Sequence, residues 1–185
     1  DPEDEGHTGV MYTATPPSLF PDPYDTDSDW VGILESQMTD DFTTLKNDIL
    51  SSSSLTSNKY GGGTPIGAAV RDGAHYLYSN HRKHDSNKNE VKLLMVVMSD
   101  GNANKPEDDP DEYAISMANY AESLGIQIHT ISLGDDADVA LMTAIANATG
   151  GKHFAATGSG SELTSTLKQA YRNIVGAINR TVLVQ

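Results

Sequence analysis

The sequence predicts an α/β domain: a doubly wound, mainly parallel sheet with helices on both faces. Three observations carry this. From about residue 31 onward, apolar runs of strand length alternate with segments whose apolar residues recur at helical spacing. The run from Val91 to Met98 is continuously apolar after Lys92, the pattern of a strand buried on both faces. Glycines at 125 and at 150 and 151 close two helical segments and lead straight into the next apolar run. Strand and helix alternating at these lengths require crossover connections and hence a parallel sheet.

The elements follow in order. Asp1 to Asp29 holds five of the eight prolines and eight acidic residues among few aliphatics, too little apolar surface to offset the cost of ordering. It reads as an acidic, proline-rich loop or arm (1–29) ahead of a domain at 30–179, with 180–185 as a tail. Val31 to Leu34 is a short strand. Asp41 to Leu50 is a helix behind an Asp cap, with Phe42, Leu45, Ile49 and Leu50 at helical spacing. Ser51 to Gly63 and Asn80 to Asn89 are rich in turn formers and read as loops. Between them Pro65, at a first helical position, opens a helix to Tyr78, with Ile66, Ala69, Val70, Gly73, Ala74 and Leu77 on one face. A helix from about Asp111 to Leu124, a strand at Ile126–Leu133, a helix at Asp138–Thr149, a strand at Lys152–Ala156 and a last helix at Ser161–Ile178 complete the pattern. Val31–Leu34, Leu93–Met98, Ile126–Leu133 and Lys152–Ala156 are expected in one sheet.

Composition removes several classes of function. Twelve Lys and Arg against twenty-six Asp and Glu leave a net charge of −14, which repels phosphate backbones and anionic headgroups, so nucleic acid is not an expected partner. The apolar run at 93–98 is far short of the roughly 18 residues that span a bilayer, and direct membrane insertion is not expected. Without cysteine there is no disulfide, zinc thiolate site or thiol nucleophile. No Ser/His/Asp set has a nucleophile-elbow pattern, so the chain reads as a non-enzyme. The six histidines show no metal spacing beyond His81 and His84, and surface placement is expected for them. Methionines 95, 98, 117 and 142 fall at core positions.

In a parallel sheet, ligands gather beyond the carboxyl ends of the strands. Two segments qualify. Gly61-Gly62-Gly63-Thr64-Pro65-Ile66-Gly67 presents a threonine hydroxyl at the start of a helix, where it serves either as an ordinary N-cap or as a ligand. Ser99-Asp100-Gly101-Asn102 puts a carboxylate at a strand end, either as a plain turn or as a ligand.

Six pieces in order resemble the von Willebrand factor type A family: Asp29 to Leu34, Met38 to Phe42, Gly62 to Ala69, Val96 to Asn104, Gly125 to Gly134 and Ile145 to Phe154. The likeness runs from Trp30 to Ile178 and is nearest to secreted bacterial versions such as those of tight-adherence pilus assembly proteins. It implies a Rossmann-like fold and a metal-ion-dependent adhesion site that draws oxygen ligands from three loops. Thr64 and Asp100 match two of them, with Gly63, Ser99 and Asn102 as additional metal or partner contacts. Hydroxyl and carboxylate oxygens suit Mg²⁺ or Mn²⁺. The third loop, Asp-x-Ser-x-Ser after a first strand, is not found. Asp25, Asp27 and Asp29 alternate as such a loop would, without a strand before them, and read chiefly as a solvated acidic loop.

The resemblance therefore implies a non-enzymatic module for adhesion or assembly at the cell surface, extracellular or periplasmic, whose open metal position accepts an acidic side chain of a protein partner. The chain reads as the later part of a longer product. An upstream segment or a neighbouring chain is expected to complete both sheet and site. The alternative is a metal-independent structural subunit of a surface filament or layer.

Overall fold

The computed structural model describes residues 10–11, 33–34, 36–50, 63–105 and 108–182. Five strands and five helices lie in the order β1 (Val10–Met11), β2 (Ile33–Leu34), α1 (Phe42–Leu50), α2 (Ile66–Asn80), β3 (Leu93–Ser99), α3 (Pro110–Ser123), β4 (Ile126–Leu133), α4 (Val139–Ala148), β5 (His153–Ala156) and α5 (Gly160–Val182). β3, β4 and β5 form a parallel sheet in that order.

The middle strand sets the architecture. β4 is Ile-Gln-Ile-His-Thr-Ile-Ser-Leu, rich in β-branched residues, and nearly all of it is buried. Because side chains alternate across a strand, its two faces build two cores. Ile126 and Ile128 join Met117, Ala118, Leu141, Met142 and Ile145 of α3 and α4, with Val70 and Ala74 of α2 and the near faces of Met95 and Val97. Ile131 joins Ala156, Ala170 and Ile174, with Leu94, Val96, Leu133, Phe154, Leu163 and Leu167 around them. Helices α2, α3 and α4 thus cover one face and α5 the other, the doubly wound arrangement expected, and Val96 and Val97 of β3 point to opposite cores.

Local chemistry ends the elements where expected. Gly125 follows α3 at φ 74° and Gly150 follows α4 at φ 68°, left-handed values that glycine adopts without a Cβ penalty. Asp138 caps α4 by accepting from Leu141 N at 2.8 Å, and Asp41 caps α1 through Thr43 N and Thr44 N at 3.1 and 3.0 Å. The Thr44 hydroxyl, which donates to Asp41 Oδ2 at 2.6 Å, together with the cap bonds favours the ionised carboxylate and holds Asp41 below the usual carboxylate range. Gly67 lets α2 and α3 touch: a Cβ there would lie 2.4 Å from the Tyr113 ring.

Several expectations are corrected. Ile33–Leu34 does not join the parallel sheet but pairs antiparallel with Val10–Met11 in a separate two-stranded sheet; two residues are too few for a strand pattern to be read. β3 is not enclosed on both sides. Among the described residues no strand pairs with its outer edge, its side chains are mostly half-buried, and Met98 is 46% exposed. Phe42 is 74% exposed rather than in the core. Pro65 occupies the cap position of α2 instead of its first turn, with no side-chain cap bond. Ala69 of α2 is exposed, while Arg71, Asp72 and His75 are buried. The last helix continues past Ile178 to Val182. The expected loop between Ser51 and Gly62, His7, and nearly all of the expected arm at 1–29 lie outside the described residues.

His75 and His129 are buried, not on the surface, and His153 is half-buried. His129 Nδ1 accepts from Lys152 N at 2.9 Å, so in the neutral ring the proton sits on Nε2, which is buried without a partner among the described residues. Thr130 Oγ1 donates to Met142 O at 2.7 Å and so accepts from His153 Nδ1 at 3.0 Å, leaving His153 Nε2 buried and without a partner among the described residues. Burial holds both rings below the ordinary histidine value, with the Lys152 charge adding to the effect at His129. The unfolded chain binds these protons first as pH falls. Stability is therefore complete above about pH 6.5 and declines below it toward the lowered folded values. The thermal midpoint is expected to drop between pH 7.5 and 5, and His129→Phe should flatten that slope. An unchanged slope would show that His129 does not contribute.

Candidate functional site at the carboxyl edge of the sheet

β3 ends at Ser99, which is buried and turns the chain. Its Oγ donates to Gly101 O at 3.1 Å and accepts from Gly101 N at 3.4 Å. Asp100 projects from this turn and is exposed. The chain passes the exposed Asn102, anchors Ala103 in the core at 8% exposure, and then meets the start of α2. Asn104 Oδ1 accepts from Thr64 N at 2.7 Å, and Asn104 N donates to Thr64 O at 3.2 Å. Thr64 O also accepts from Ile66 N at 3.1 Å. These bonds seat the threonine loop directly against the aspartate loop. A Cβ on Gly101, the residue after Asp100, would lie 3.7 Å from Thr64 Oγ1.

The Thr64 hydroxyl does not cap α2, which removes the plain N-cap reading. Gly63 is needed for a close approach: a Cβ there would meet Lys105 Cγ at 2.6 Å and Asn104 Oδ1 at 3.1 Å. Of the residues singled out in the sequence, Thr64, Gly63, Ser99 and Asp100 come together at this junction. Asn102 lies on the loop but faces solvent, and Asp25, Asp27 and Asp29 lie outside the described residues. Sequence reasoning missed Asn104, whose two bonds hold the junction. No local signal marks it, because its partner Thr64 lies forty positions away.

The donor set is a hydroxyl and a carboxylate, hard oxygens of the kind Mg²⁺ and Mn²⁺ take. Two such groups fall short of the six positions of an octahedron, and among the described residues no group of three or more His, Asp or Glu could hold an ion. The junction as described fits such a metal only in part.

A family model, the von Willebrand factor type A domain, matches residues 35–169. Among solved structures, an aerotolerance-related membrane protein from Bacteroides fragilis NCTC 9343, in a form with multiple mutations to serines, is similar at 19% identity and a TM-score of 0.51. The match covers 77% of this chain and 71% of that one, and at this identity it speaks for the fold alone. The conserved hypothetical protein BatB from Bacteroides thetaiotaomicron matches at 18% identity and a TM-score of 0.49, over 74% of this chain and 70% of that one. Comparison with the curated proteins gives no significant match. No described helix is long and apolar enough to cross a membrane. A family match over most of the chain, on a parallel sheet with the threonine and aspartate loops joined at its carboxyl edge, places this chain in the von Willebrand factor type A domain family, whose members generally act as protein-interaction modules.

Proposed function

We propose that the chain is a non-enzymatic adhesion or assembly module at the cell surface or in the periplasm, binding a protein partner at the carboxyl edge of its sheet. The observation that carries this is the junction itself: Asn104 fastens the Thr64 loop to the loop bearing Asp100, and both oxygen-bearing side chains sit where the fold gathers ligands. In this reading Thr64 and Asp100 are two ligands of a Mg²⁺ or Mn²⁺ site whose remaining oxygens come from a segment outside this chain, either upstream in the same precursor or in a neighbouring chain. Such an ion would bridge to an acidic side chain of the partner.

The outer edge of β3, which no described strand pairs with, supports this reading. α2 packs on β3 and on α3, whereas α3 packs on β4, so α2 stands over the outer side of β3. An added strand under α2 would pair with β3, cover its half-buried side chains and arrive beside Asp100.

The chain alone is then expected to bind Mg²⁺ or Mn²⁺ weakly or not at all. Two protein ligands compete poorly with water for Mg²⁺, which sheds its hydration shell reluctantly. Calorimetric titration with MgCl₂ and MnCl₂ checks this, with Asp100→Ala as control. Saturable binding that Asp100→Ala abolishes would mean that the site is complete without any added segment. Partner binding that persists in chelator would favour a metal-independent structural subunit of a surface filament or layer.

A further inference from the structure

Charge is divided along the strand direction. β3, β4 and β5 run parallel, so their carboxyl ends and the loops leading into α3 and α4 share one end of the domain. Asp100, Asp108, Asp109, Asp111, Asp135 and Asp136 lie there, all exposed. Lys105 is the only base between Ser99 and Glu112 or between Leu133 and Asp138.

The opposite end carries a hairpin that joins α2 to β3. It is held by its own bonds: Val91 N donates to Lys83 O at 3.1 Å, Asp85 N to Asn89 O at 2.9 Å, and Lys88 N, at φ 65°, to Asp85 O at 3.1 Å. The Asp85 carboxylate is used within the loop, accepting from Asn87 N and Asn89 N at 2.8 Å each and from Asn89 Nδ2 at 3.0 Å. Arg82, Lys83, Lys88 and Lys92 are left exposed on this rigid frame, and none makes an ion pair with a described carboxylate. Four of the twelve Lys and Arg of a strongly acidic chain are thus gathered at one end, outnumbering the exposed Glu90 and the loop-bound Asp85 of the same hairpin. Solubility does not need them there, since the net charge of −14 provides it.

We propose that the chain docks head to tail with a second copy of itself, the basic hairpin of one copy meeting the acidic carboxyl edge of the next. Such a contact joins two different surfaces and leaves one of each free, so it propagates into a row of copies instead of closing as a dimer. The second copy is favoured as occupant because its acidic end supplies the complementary charge in similar number. The contact needs no metal ion and no added strand, so it stands or falls separately from the metal site.

Salt should act in two directions. The net charge of −14 makes copies repel at long range, and a Debye length of about 10 Å at about 0.1 M salt screens this while leaving contact pairs. At about 1 M salt the contact pairs are screened as well. Sedimentation velocity of the full chain at both salt concentrations is the test. Concentration-dependent association at the lower salt that disappears at the higher is expected. Lys83→Glu with Lys88→Glu, or Asp108→Lys with Asp135→Lys, should each weaken association by about tenfold or more. All four positions are exposed, and circular dichroism checks that each variant is folded. Mixing the two variants should restore association, because the reversed hairpin of one then fits the reversed edge of the other. A chain that stays monomeric at both salts, or associates equally well with either pair of reversals, overturns the proposal.

Discussion

Gly151→Ala is expected to abolish cooperative folding or to lower stability by about 3 kcal/mol or more. Gly151 lies between α4 and β5, where its N donates to Ala146 O at 2.8 Å and the chain runs against the middle of β4. A Cβ at this position would sit 1.8 Å from Ile128 O and 2.6 Å from the carbonyl carbon. Both are backbone atoms of the central strand, which cannot rotate aside as a side chain would. Ile128 is also tied to Thr149, whose Oγ1 accepts from Ile128 N at 2.8 Å, so a shift at 151 disturbs two contacts at once. Gly125→Ala is the control. It meets nothing within 4 Å and carries only the left-handed cost of about 1–2 kcal/mol. Urea midpoints of the two variants separate the effects, and equal midpoints would show that the crossing at 151 relaxes.

Asp72→Ala should cost about 3–5 kcal/mol, the range for removing one partner of a buried ion pair. Arg71 and Asp72 are 1% and 4% exposed. Arg71 donates from Nε to Asp72 Oδ1 at 2.8 Å, from Nη2 to Oδ2 at 3.3 Å and from Nη1 to Tyr113 Oη at 2.9 Å. Burial works against the Arg71 charge, but the bonds and charge of Asp72, with Tyr113, outweigh it and raise the guanidinium above its ordinary value. Losing the carboxylate leaves that charge enclosed with much less compensation. Arg71→Met with Asp72→Leu should recover most of the loss, because an apolar pair of similar volume has no charge to desolvate. If the double variant is no more stable than Asp72→Ala, packing and not charge decides the site.

How far the sequence could be read depended on the element. β4, α3 and α4 were legible because β4 is buried almost throughout and each helix buries one face at regular spacing, with glycines marking where they end. On α2 the same reasoning found Val70 and Ala74 but expected His75 at the surface and passed over Arg71 and Asp72, since pattern reading cannot see the partners of buried polar groups. β3 has the composition of an enclosed strand while its outer edge is unpaired among the described residues, so its composition and its surroundings disagree. The pairing of Val10–Met11 with Ile33–Leu34 is too short to have a period. At the carboxyl edge, Thr64 and Asp100 were legible as residue types after a glycine run and a strand. Asn104 was not, because its role comes from a bond across forty positions of sequence.

The tie between Thr149 and Ile128 also bears on how the chain acquires its fold. β4, α4 and β5 follow one another directly, and their mutual bonds (Thr149 to Ile128, Thr130 to Met142 and His153, Lys152 to His129) span short stretches of chain. Closing such small loops costs little entropy, so this strand–helix–strand unit can form before distant segments are brought in. Pairing of β3 with β4 closes a longer loop than pairing of β4 with β5, from Leu93 to Ile126 against Thr130 to His153. The segment from Ile126 to Ala156 is thus the natural starting point for folding, onto which β3 and α2, and with them the threonine and aspartate loops, assemble later.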